Sequence, residues 1–214
     1  MSAKSTTAIL ALALILVLAA TSLAFDGNRK GFILGAGLGL GYTSHKNSLE
    51  HETQGVTSFE RLTSTGLATD FRIGYGFSEG FLLYYTSKVN WLKAGWVVQR
   101  EDTIPPYEKY WAESEDTTTA AGVGGIGLSY YLDPESSPLY LIVAVPLAGW
   151  VAPFEDNMNT LGGLGFSAGA GYEFAKHLSV EAVVFYGRVS DDQEPLKFKN
   201  NFFGAMVTVN GLLY

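Results

Sequence analysis

The segment Gly31–Tyr42, GFILGAGLGLGY, alternates large and small side chains with a period of two. Its odd-numbered positions are all glycine except Ile33, and its even-numbered positions carry the larger residues. Successive side chains of a β-strand point to opposite sides, so alternation over a dozen residues predicts a strand with two different faces. The same design returns in Thr65–Phe77 and in Leu161–Phe174.

Five more segments complete a predicted set of eight strands: Phe81 to about Val98, Thr118–Leu132, Leu139–Trp150, Leu178–Val189 and Asn201–Tyr214. The connections between the eight alternate between short turns and longer polar loops. The turns are predicted at 76–80, 133–138 and 175–177, and the loops at 43–64, 99–117, 152–160 and 190–200. Three short turns and four long loops are what an eight-stranded antiparallel meander needs when both its ends lie on the side of the turns.

The composition indicates which face of the strands meets water. Charged residues make up only 16% of the 214-residue chain and aromatic residues 14%, whereas soluble domains are about 25% charged. A face of glycine, serine and alanine suits a narrow lumen, and the large apolar face then meets lipid. Aromatic residues near the turns and near the opposite rim are typical of membrane interfaces; they include Tyr75, Phe77, Tyr130, Tyr131, Tyr140 and Tyr172 on the first side and Tyr42, Trp91, Trp96 and Trp150 on the second.

The N-terminus predicts export. Lys4 precedes the uninterrupted apolar run Ala8–Ala20, and the small residues Ser22 and Ala24 follow it. A run of 13 helical residues spans only about 20 Å, short of the roughly 30 Å of a bilayer core, so a signal peptide is favoured over an anchor. Residues 1–24 are the predicted signal peptide, and residues 25–214 the barrel domain.

Several classes of function are excluded or disfavoured. The chain has no cysteine, which removes disulfides, cysteine-ligated zinc and thiol catalysis, and its net charge of −7 disfavours a nucleic-acid binder. Gly122–Gly127 matches the letters of a dinucleotide-binding motif, but a predicted strand follows it where a helix is required. No cofactor and no metal site are therefore predicted; the acidic loop at 99–117 lacks calcium-site spacing.

Charged residues inside the predicted strands have the phase of the lumen face: Asp70, Arg72, Lys88, Glu173 and Glu181. Isolated charges in a dry lumen are costly, so these groups are expected to pair across the barrel. Eight strands leave barely enough room for side chains, which favours a plug over an ion pathway. Arg72 is the expected hub, with Asp70, Glu173 or Glu181 as its partners.

The strand Leu139–Trp150 is the one that is apolar on both faces. One face is a predicted lumen wall or a possible lateral opening, formed by Tyr140, Ile142, Ala144, Pro146 and Trp150. Proline cannot donate to a strand ladder, so the ladder is expected to be interrupted or bulged between Val145 and Leu147.

A catalytic reading rests on Ser44 and His45, next to each other near the outer end of the first strand. Adjacent strand residues point to opposite faces, so they cannot pair as nucleophile and base unless the chain bends. His51 is expected in a loop and His177 in a turn.

The mature chain resembles the small outer-membrane β-barrels of the OmpA, OmpX and OmpW type. The glycine-alternating first strand, the alternating connection lengths and the aromatic end Gly211–Tyr214 carry this resemblance, which covers essentially the whole mature chain. Tyr214 departs from it, because its phase is opposite to that of Phe203 and Leu213; either a bulge near Asn210 and Gly211 restores the register, or Tyr214 is a rim residue.

The expected fold is thus all-β: an eight-stranded up-and-down antiparallel transmembrane β-barrel, porin-like and monomeric, with extracellular loops and periplasmic termini in the outer membrane. Its expected partners are outer-membrane lipid and lipopolysaccharide. The expected role is structural or surface interaction around a side-chain-filled lumen. The alternatives are a binder or conduit for small hydrophobic molecules, which the resemblance to the OmpW type implies, and an outer-leaflet lipid hydrolase.

Overall fold

The computed structural model describes residues 29–51, 56–94, 97–101, 109–113, 117–133, 138–151, 160–193 and 196–214. The strands in chain order are β1 (Gly31–His51), β2 (Val56–Ser78), β3 (Phe81–Ala94), β4 (Val97–Glu101), β5 (Lys109–Glu113), β6 (Thr117–Tyr131), β7 (Leu139–Val151), β8 (Thr160–Ala175), β9 (Leu178–Gln193) and β10 (Leu196–Leu213). No helix within these ranges is long and apolar enough to cross a membrane. The predicted signal peptide lies outside the described residues.

Eight strands form one closed antiparallel barrel in the order β1-β10-β9-β8-β7-β6-β3-β2, and β1 closes it by pairing with both β2 and β10. The predicted eight-stranded up-and-down barrel is confirmed. The remaining two strands, β4 and β5, pair only with each other and lie in the connection between β3 and β6. The sequence predicted a polar loop at 99–117, and this prediction was wrong where β4 and β5 form a two-stranded sheet.

The two faces of the barrel differ as the alternation predicts. Large apolar side chains point outward, and Leu40 and Val145 are 77% and 79% exposed. On β10 the outward apolar face runs from Phe203 to Leu213. Ten residue steps rise about 33 Å along a strand, which a tilt of about 40° reduces to about 25 Å, the height of the apolar band of a transmembrane barrel. The wall therefore has the surface and the height that lipid requires.

Two of the predicted long loops are mostly strand. β1 continues to His51 and β2 begins at Val56, so little of the predicted loop at 43–64 remains; β9 and β10 likewise occupy most of 190–200. His51, expected in a loop, is the last residue of β1 and pairs with Val56 and Leu196. These extensions carry no hydrophobic alternation, because above the apolar band a strand needs only its ladder of backbone hydrogen bonds.

Three aromatic residues assigned to the membrane interfaces face the lumen instead. Tyr131, Tyr140 and Trp150 are buried, at 1%, 2% and 6% exposure. The last strand keeps its register without a bulge from Leu196 to Leu213 against β1, and Tyr214 is buried beyond its end. Of the two alternatives for the chain end, the rim residue is the one observed.

Candidate functional site in the barrel lumen

Four of the five predicted lumen charges meet in one buried cluster. Asp70 and Arg72 lie on β2, Lys88 on the neighbouring β3, and Glu181 on β9. Their side chains are at most 2% exposed. β2 and β9 are separated in the barrel by β1 and β10, so the contact between Arg72 and Glu181 crosses the lumen.

Arg72 is the hub of the cluster, as expected from its position. Its Nη2 donates to Asp70 Oδ2 and, at 2.5 Å, to Glu181 Oε2. Lys88 Nζ donates to Asp70 Oδ2 at 2.5 Å and lies 3.5 Å from Glu181 Oε2. Two cations thus face two carboxylates, and the formal charge of the cluster is zero.

Neutral groups complete the hydrogen bonding of this cluster. The Tyr140 hydroxyl donates to Glu181 Oε1 at 2.5 Å and contacts Ser179 Oγ at 2.9 Å. Thr86 donates to Asp70 Oδ1 at 3.4 Å, and the guanidinium carbon of Arg72 lies 5.1 Å from the centre of the Tyr84 ring. A buried charge is tolerated when it is paired and its remaining lone pairs are satisfied, which is the arrangement here.

The glycine face of β1 provides the space for Arg72. Gly35 is the register partner of Arg72, and a Cβ atom at Gly35 would lie 2.8 Å from Arg72 Cγ. Such a contact is shorter than van der Waals packing allows. The small residues opposite β2 therefore let a long side chain cross the lumen.

Glu173, the fifth predicted lumen charge, is not in this cluster. It lies at the turn end of the barrel, where Arg29 Nη2 donates to its Oε2 at 2.9 Å and the Tyr214 hydroxyl donates to its Oε1. The guanidinium carbon of Arg29 also lies 3.9 Å from the centre of the Tyr131 ring. We call Arg29, Tyr131, Glu173 and Tyr214 the rim cluster.

Electrostatics at the rim cluster follow from its geometry. Burial raises the pKa of Tyr214, and the hydrogen bond to the Glu173 carboxylate raises it further, because both favour the neutral phenol. Burial opposes the charge on Arg29, but the nearby Glu173 carboxylate outweighs it, and the pKa of the guanidinium is raised. Arg29 is therefore cationic and Tyr214 neutral at physiological pH, the forms that these contacts need.

Polar side chains occupy the lumen on the other side of the charge cluster. Asn90 Nδ2 donates to Thr43 Oγ1 at 2.9 Å and to the carbonyl of Tyr42 at 3.1 Å. The buried His45 ring lies 3.4 Å from Asn200 Nδ2 through its Nδ1 and packs against Phe202 at 5.9 Å between ring centres. The lumen is thus filled at three levels: rim cluster, charge cluster and this polar layer.

The predicted apolar wall of β7 lies on the lumen face: Tyr140, Ile142, Ala144, Pro146 and Trp150 are all buried. Pairing between β7 and β8 runs from Leu139 to Ala144 and resumes at Leu147, so Val145 and Pro146 have no partner on β8. Both residues still pair with β6 on the other side. The ladder is interrupted where the proline predicts an interruption.

The two sequence motifs that suggest catalysis or nucleotide binding lie in ordinary β-strands. Ser44 and His45 lie on opposite faces of β1, with His45 buried and Ser44 on the outer side. Gly122–Gly127 lies inside the single strand β6, with no helix after it. Among the described residues, no group of three His, Cys, Asp or Glu side chains is placed to hold a metal ion.

Comparison with known proteins gives a likeness of structure. No protein-family model and no curated protein matches the sequence. The outer membrane protein OprG of Pseudomonas aeruginosa has a similar structure, with a TM-score of 0.51 and 13% identity over 89% of this chain and 100% of OprG. The fold is that of a small outer-membrane β-barrel.

Neisserial surface protein A has a TM-score of 0.45 and 14% identity over 89% of this chain and 99% of that protein. The Escherichia coli outer membrane protease OmpT has a TM-score of 0.44 and 9% identity over 89% of this chain and 99% of OmpT. At such identities the likeness concerns the fold alone.

The sequence predicts which charged residues face the lumen, but not all of the groups that bond to them. Strand phase alone gives Asp70, Arg72, Lys88 and Glu181 the same face. The roles of Arg29 and Tyr214 were missed because Arg29 precedes β1 and Tyr214 follows β10, where strand phase gives no guidance. The strand phase of Tyr84 and Tyr140 points both side chains inward, which could have predicted that their hydroxyl groups bond to other groups in the lumen.

Proposed function

We propose that the protein is an integral, monomeric outer-membrane barrel with a structural or surface-interaction role and a lumen that does not conduct. The observation that carries this proposal is the charge cluster of Asp70, Arg72, Lys88 and Glu181, which joins β2 to β9 across the lumen. The ends of the long strand pairs β1–β2 and β9–β10 then form the side that meets partners outside the cell, and the termini face the periplasm.

A paired cluster closes the lumen better than loose side chains. Each carboxylate of the cluster contacts both cations, so moving one group exposes another without a partner. Leaving a buried charge unpaired costs about 3 to 5 kcal/mol. The rim cluster adds a second closure at the turn end.

Conductance of purified protein in planar bilayers tests the closed lumen. The unmodified barrel is expected to show no steady conductance. The triple variant Arg72→Ala, Tyr140→Ala, Glu181→Ala removes the pair that crosses the lumen and the tyrosine that contacts it, and this variant is expected to conduct. Three outward substitutions, Leu38→Ala, Tyr130→Ala and Leu141→Ala, form the matched control. A steady conductance of the unmodified protein would contradict the proposal.

We propose that the partners of this barrel are membrane lipid and lipopolysaccharide. The continuous band of exposed large apolar side chains supports membrane lipid as a partner, since bands of this kind are covered by acyl chains in a transmembrane barrel.

The mature chain is proposed to start at Phe25. Its mass after extraction from membranes tests this start, and a mass that retains residues 1–24 would contradict it.

A second candidate is the binding or passage of small hydrophobic molecules through the wall at Pro146. The interrupted β7–β8 ladder supports it, as does the strand that is apolar on both faces. Replacing Pro146 with valine restores a donor there. Uptake of a hydrophobic probe into vesicles is expected to fall in Pro146→Val but not in the outward control Leu141→Val; equal uptake in all forms would remove this candidate.

We propose no catalytic role for Ser44 and His45. The two side chains are on opposite faces of β1, and the buried His45 ring contacts Asn200 and Phe202. Lipid hydrolysis that is lost in Ser44→Ala would contradict this.

A further inference from the structure

The chain enters the barrel through two residues at the turn end, Arg29 and Lys30, which we call the strap. Gly31, the first residue of β1, has a φ of +105°, a backbone conformation that favours glycine. Gly76 is its register partner on β2, and a Cβ atom at Gly76 would overlap the carbonyl oxygen of Arg29. The two glycines therefore give the strap its direction and the space to pass β2.

Glu79 holds the main chain of the strap. Its side-chain Oε2 accepts the backbone N–H of Arg29 at 3.1 Å, and its carbonyl oxygen accepts a bond from Arg29 Nη1 at 3.5 Å. Glu79 lies in the turn between β2 and β3. This turn therefore contacts both the main chain and the side chain of one arginine residue.

The guanidinium group of Arg29 is bound both through its N–H donors and by an aromatic ring. Its Nε and Nη2 both donate to Glu173 Oε2, at 3.1 and 2.9 Å, and its carbon lies 3.9 Å from the centre of the Tyr131 ring. A guanidinium can donate in its own plane and stack on a ring at the same time, whereas the ammonium of lysine is a point charge. These contacts therefore favour arginine over lysine.

The groups that surround Arg29 are held by the barrel rather than by the strap. The Tyr131 ring packs against Tyr140 at 4.7 Å between ring centres, and the Tyr214 ring packs against His177 at 4.8 Å. The Tyr214 hydroxyl donates to Oε1 of Glu173 and so orients the carboxylate. We call this set of groups the arginine cage: Glu79, Tyr131, Glu173 and Tyr214. Its occupant, in contrast, comes from the chain that precedes the first strand.

We propose that the arginine cage is a binding site for an arginine residue of a peptide, and that the strap occupies it as an internal ligand. Free arginine fits less well, because its carboxylate would lie close to the carboxylates of Glu79 and Glu173. A tethered ligand acts at an effective concentration of about 1 mM or more, so the strap keeps the cage closed to weak competitors. A partner segment that presents an arginine binds once the strap has left.

This inference goes beyond the proposed role of the barrel and does not rest on it. The cage needs only the closed wall of strands and the contacts at its turn end. Binding to the cage and conductance through the lumen are separate measurements, so the failure of one proposal is not the failure of the other.

Saturation-transfer NMR of the purified protein in detergent tests the cage, with N-acetylarginine amide as the probe. Arg29→Ala empties the cage and is expected to bind the probe at least about tenfold more tightly than the unmodified protein does, because the strap no longer competes. Two other ligands, N-acetyllysine amide and free arginine, are expected to bind Arg29→Ala about tenfold more weakly than the probe. The first loses a charge-assisted hydrogen bond, and the second adds a carboxylate that the cage repels.

Matched variants separate the cage from general effects. Lys30→Ala removes the exposed neighbouring cation but keeps Arg29 in the cage, so it is expected to behave as the unmodified protein does. Arg29→Ala combined with Glu173→Gln removes the carboxylate that the probe needs, and it is expected to bind at least about tenfold more weakly than Arg29→Ala alone. The heat-dependent shift of the barrel on gel electrophoresis shows that each variant is folded.

Release of the strap is measured in a protein that keeps Arg29. Glu173→Gln weakens the hold on the guanidinium, so cleavage after Arg29 by an arginine-specific protease is expected to become about tenfold faster than in the unmodified protein. Asp133→Asn removes an exposed carboxylate from the turn between β6 and β7 and is the control. The mass of the product that begins at Lys30 reports the cleavage.

The inference is overturned if N-acetylarginine amide binds Arg29→Ala no more tightly than it binds the unmodified protein, or no more tightly than the lysine amide binds. Equal binding of free arginine and the amide would also overturn it, since the site would then not select an arginine within a peptide. Where Arg29→Ala loses its folded mobility, the protease experiment decides. Equal cleavage of Glu173→Gln and Asp133→Asn would show that the cage does not hold the strap.

Discussion

At the scale of single residues, the lumen is held by charges that only a closed barrel brings together. Asp70 and Arg72 are neighbours on one strand, but Glu181 comes from the other end of the chain and reaches Arg72 across the lumen. Their pairing therefore forms only when β1 and β10 have closed the wall. A network of this kind contributes to stability chiefly because no buried charge in it is left without an opposite charge.

Arg72→Ala is expected to lower the free energy of unfolding by about 3 to 5 kcal/mol, because Asp70 and Glu181 then share Lys88 alone. The double variant Arg72→Ala, Glu181→Gln removes one charge of each sign and is expected to be milder. Urea unfolding followed by tryptophan fluorescence gives both values. Arg188→Ala removes an exposed arginine and serves as the control; an Arg72→Ala barrel as stable as that control would show that the buried network contributes nothing.

Glycine on the lumen face is a second feature that acts at the scale of one residue. A Cβ atom at Gly39 would lie 1.9 Å from the carbonyl oxygen of Val207, in the backbone of the next strand. A Cβ atom at Gly162, which is exposed on the outward face of β8, would meet nothing within 4 Å. Gly39→Ala is expected to cost about 1 to 3 kcal/mol of stability through this overlap. Gly162→Ala should be neutral or slightly stabilising. The same urea titration compares them, and equal midpoints would show that the wall adapts to the methyl group.

At the scale of elements, the β7–β8 pair is the place where the wall departs from a regular ladder. Pro146→Val supplies an N–H group at the unpaired position and is expected to stabilise the barrel by up to about 1 kcal/mol. Hydrogen exchange of a peptide covering residues 163–168 should become slower. Leu147→Val, at a position already paired with Leu164, is the control. Unchanged exchange in Pro146→Val would mean that the strands stay apart for a reason other than the missing donor.

The sequence predicts the elements where lipid and lumen impose different side chains on the two faces. Gly31–Tyr42 and Leu161–Phe174 are predicted in this way, and the barrel follows from the number of strands and their connections. The outer ends of β1, β2, β9 and β10 could not be predicted by alternation, because polar residues predominate there and only backbone pairing defines the strand. The same limit hid the hairpin of β4 and β5.

The lumen site was predictable to the extent that strand phase decides it. Phase gives Glu173 the same face as Glu181, but not its height in the barrel. Height depends on register. Glu173 lies opposite Ser179 at the turn end, two positions along β8 from Gly171, the residue opposite Glu181. Arg29 and Tyr214, which meet Glu173 there, lie beyond the strand ends, where alternation is silent.

At the scale of the whole molecule, the two ends of the barrel differ. The turn end carries the short connections and both described chain ends, and the rim cluster joins Arg29 to Tyr214 through Glu173. The opposite end carries the long strand pairs β1–β2 and β9–β10, which rise above the apolar band. A molecule with such unequal ends has a defined orientation in a membrane, and the turn end is proposed to face the periplasm.

The absence of cysteine makes this orientation testable with single labels. Ser190→Cys places a thiol at an exposed position near the β9–β10 connection, and Lys176→Cys places one in the exposed turn between β8 and β9. In intact cells a membrane-impermeant maleimide is expected to label Ser190→Cys only, while Lys176→Cys reacts after the outer membrane is permeabilised. The unmodified chain controls for background, and denatured protein shows that both thiols react when accessible. Labelling of Lys176→Cys alone in intact cells would show the opposite orientation.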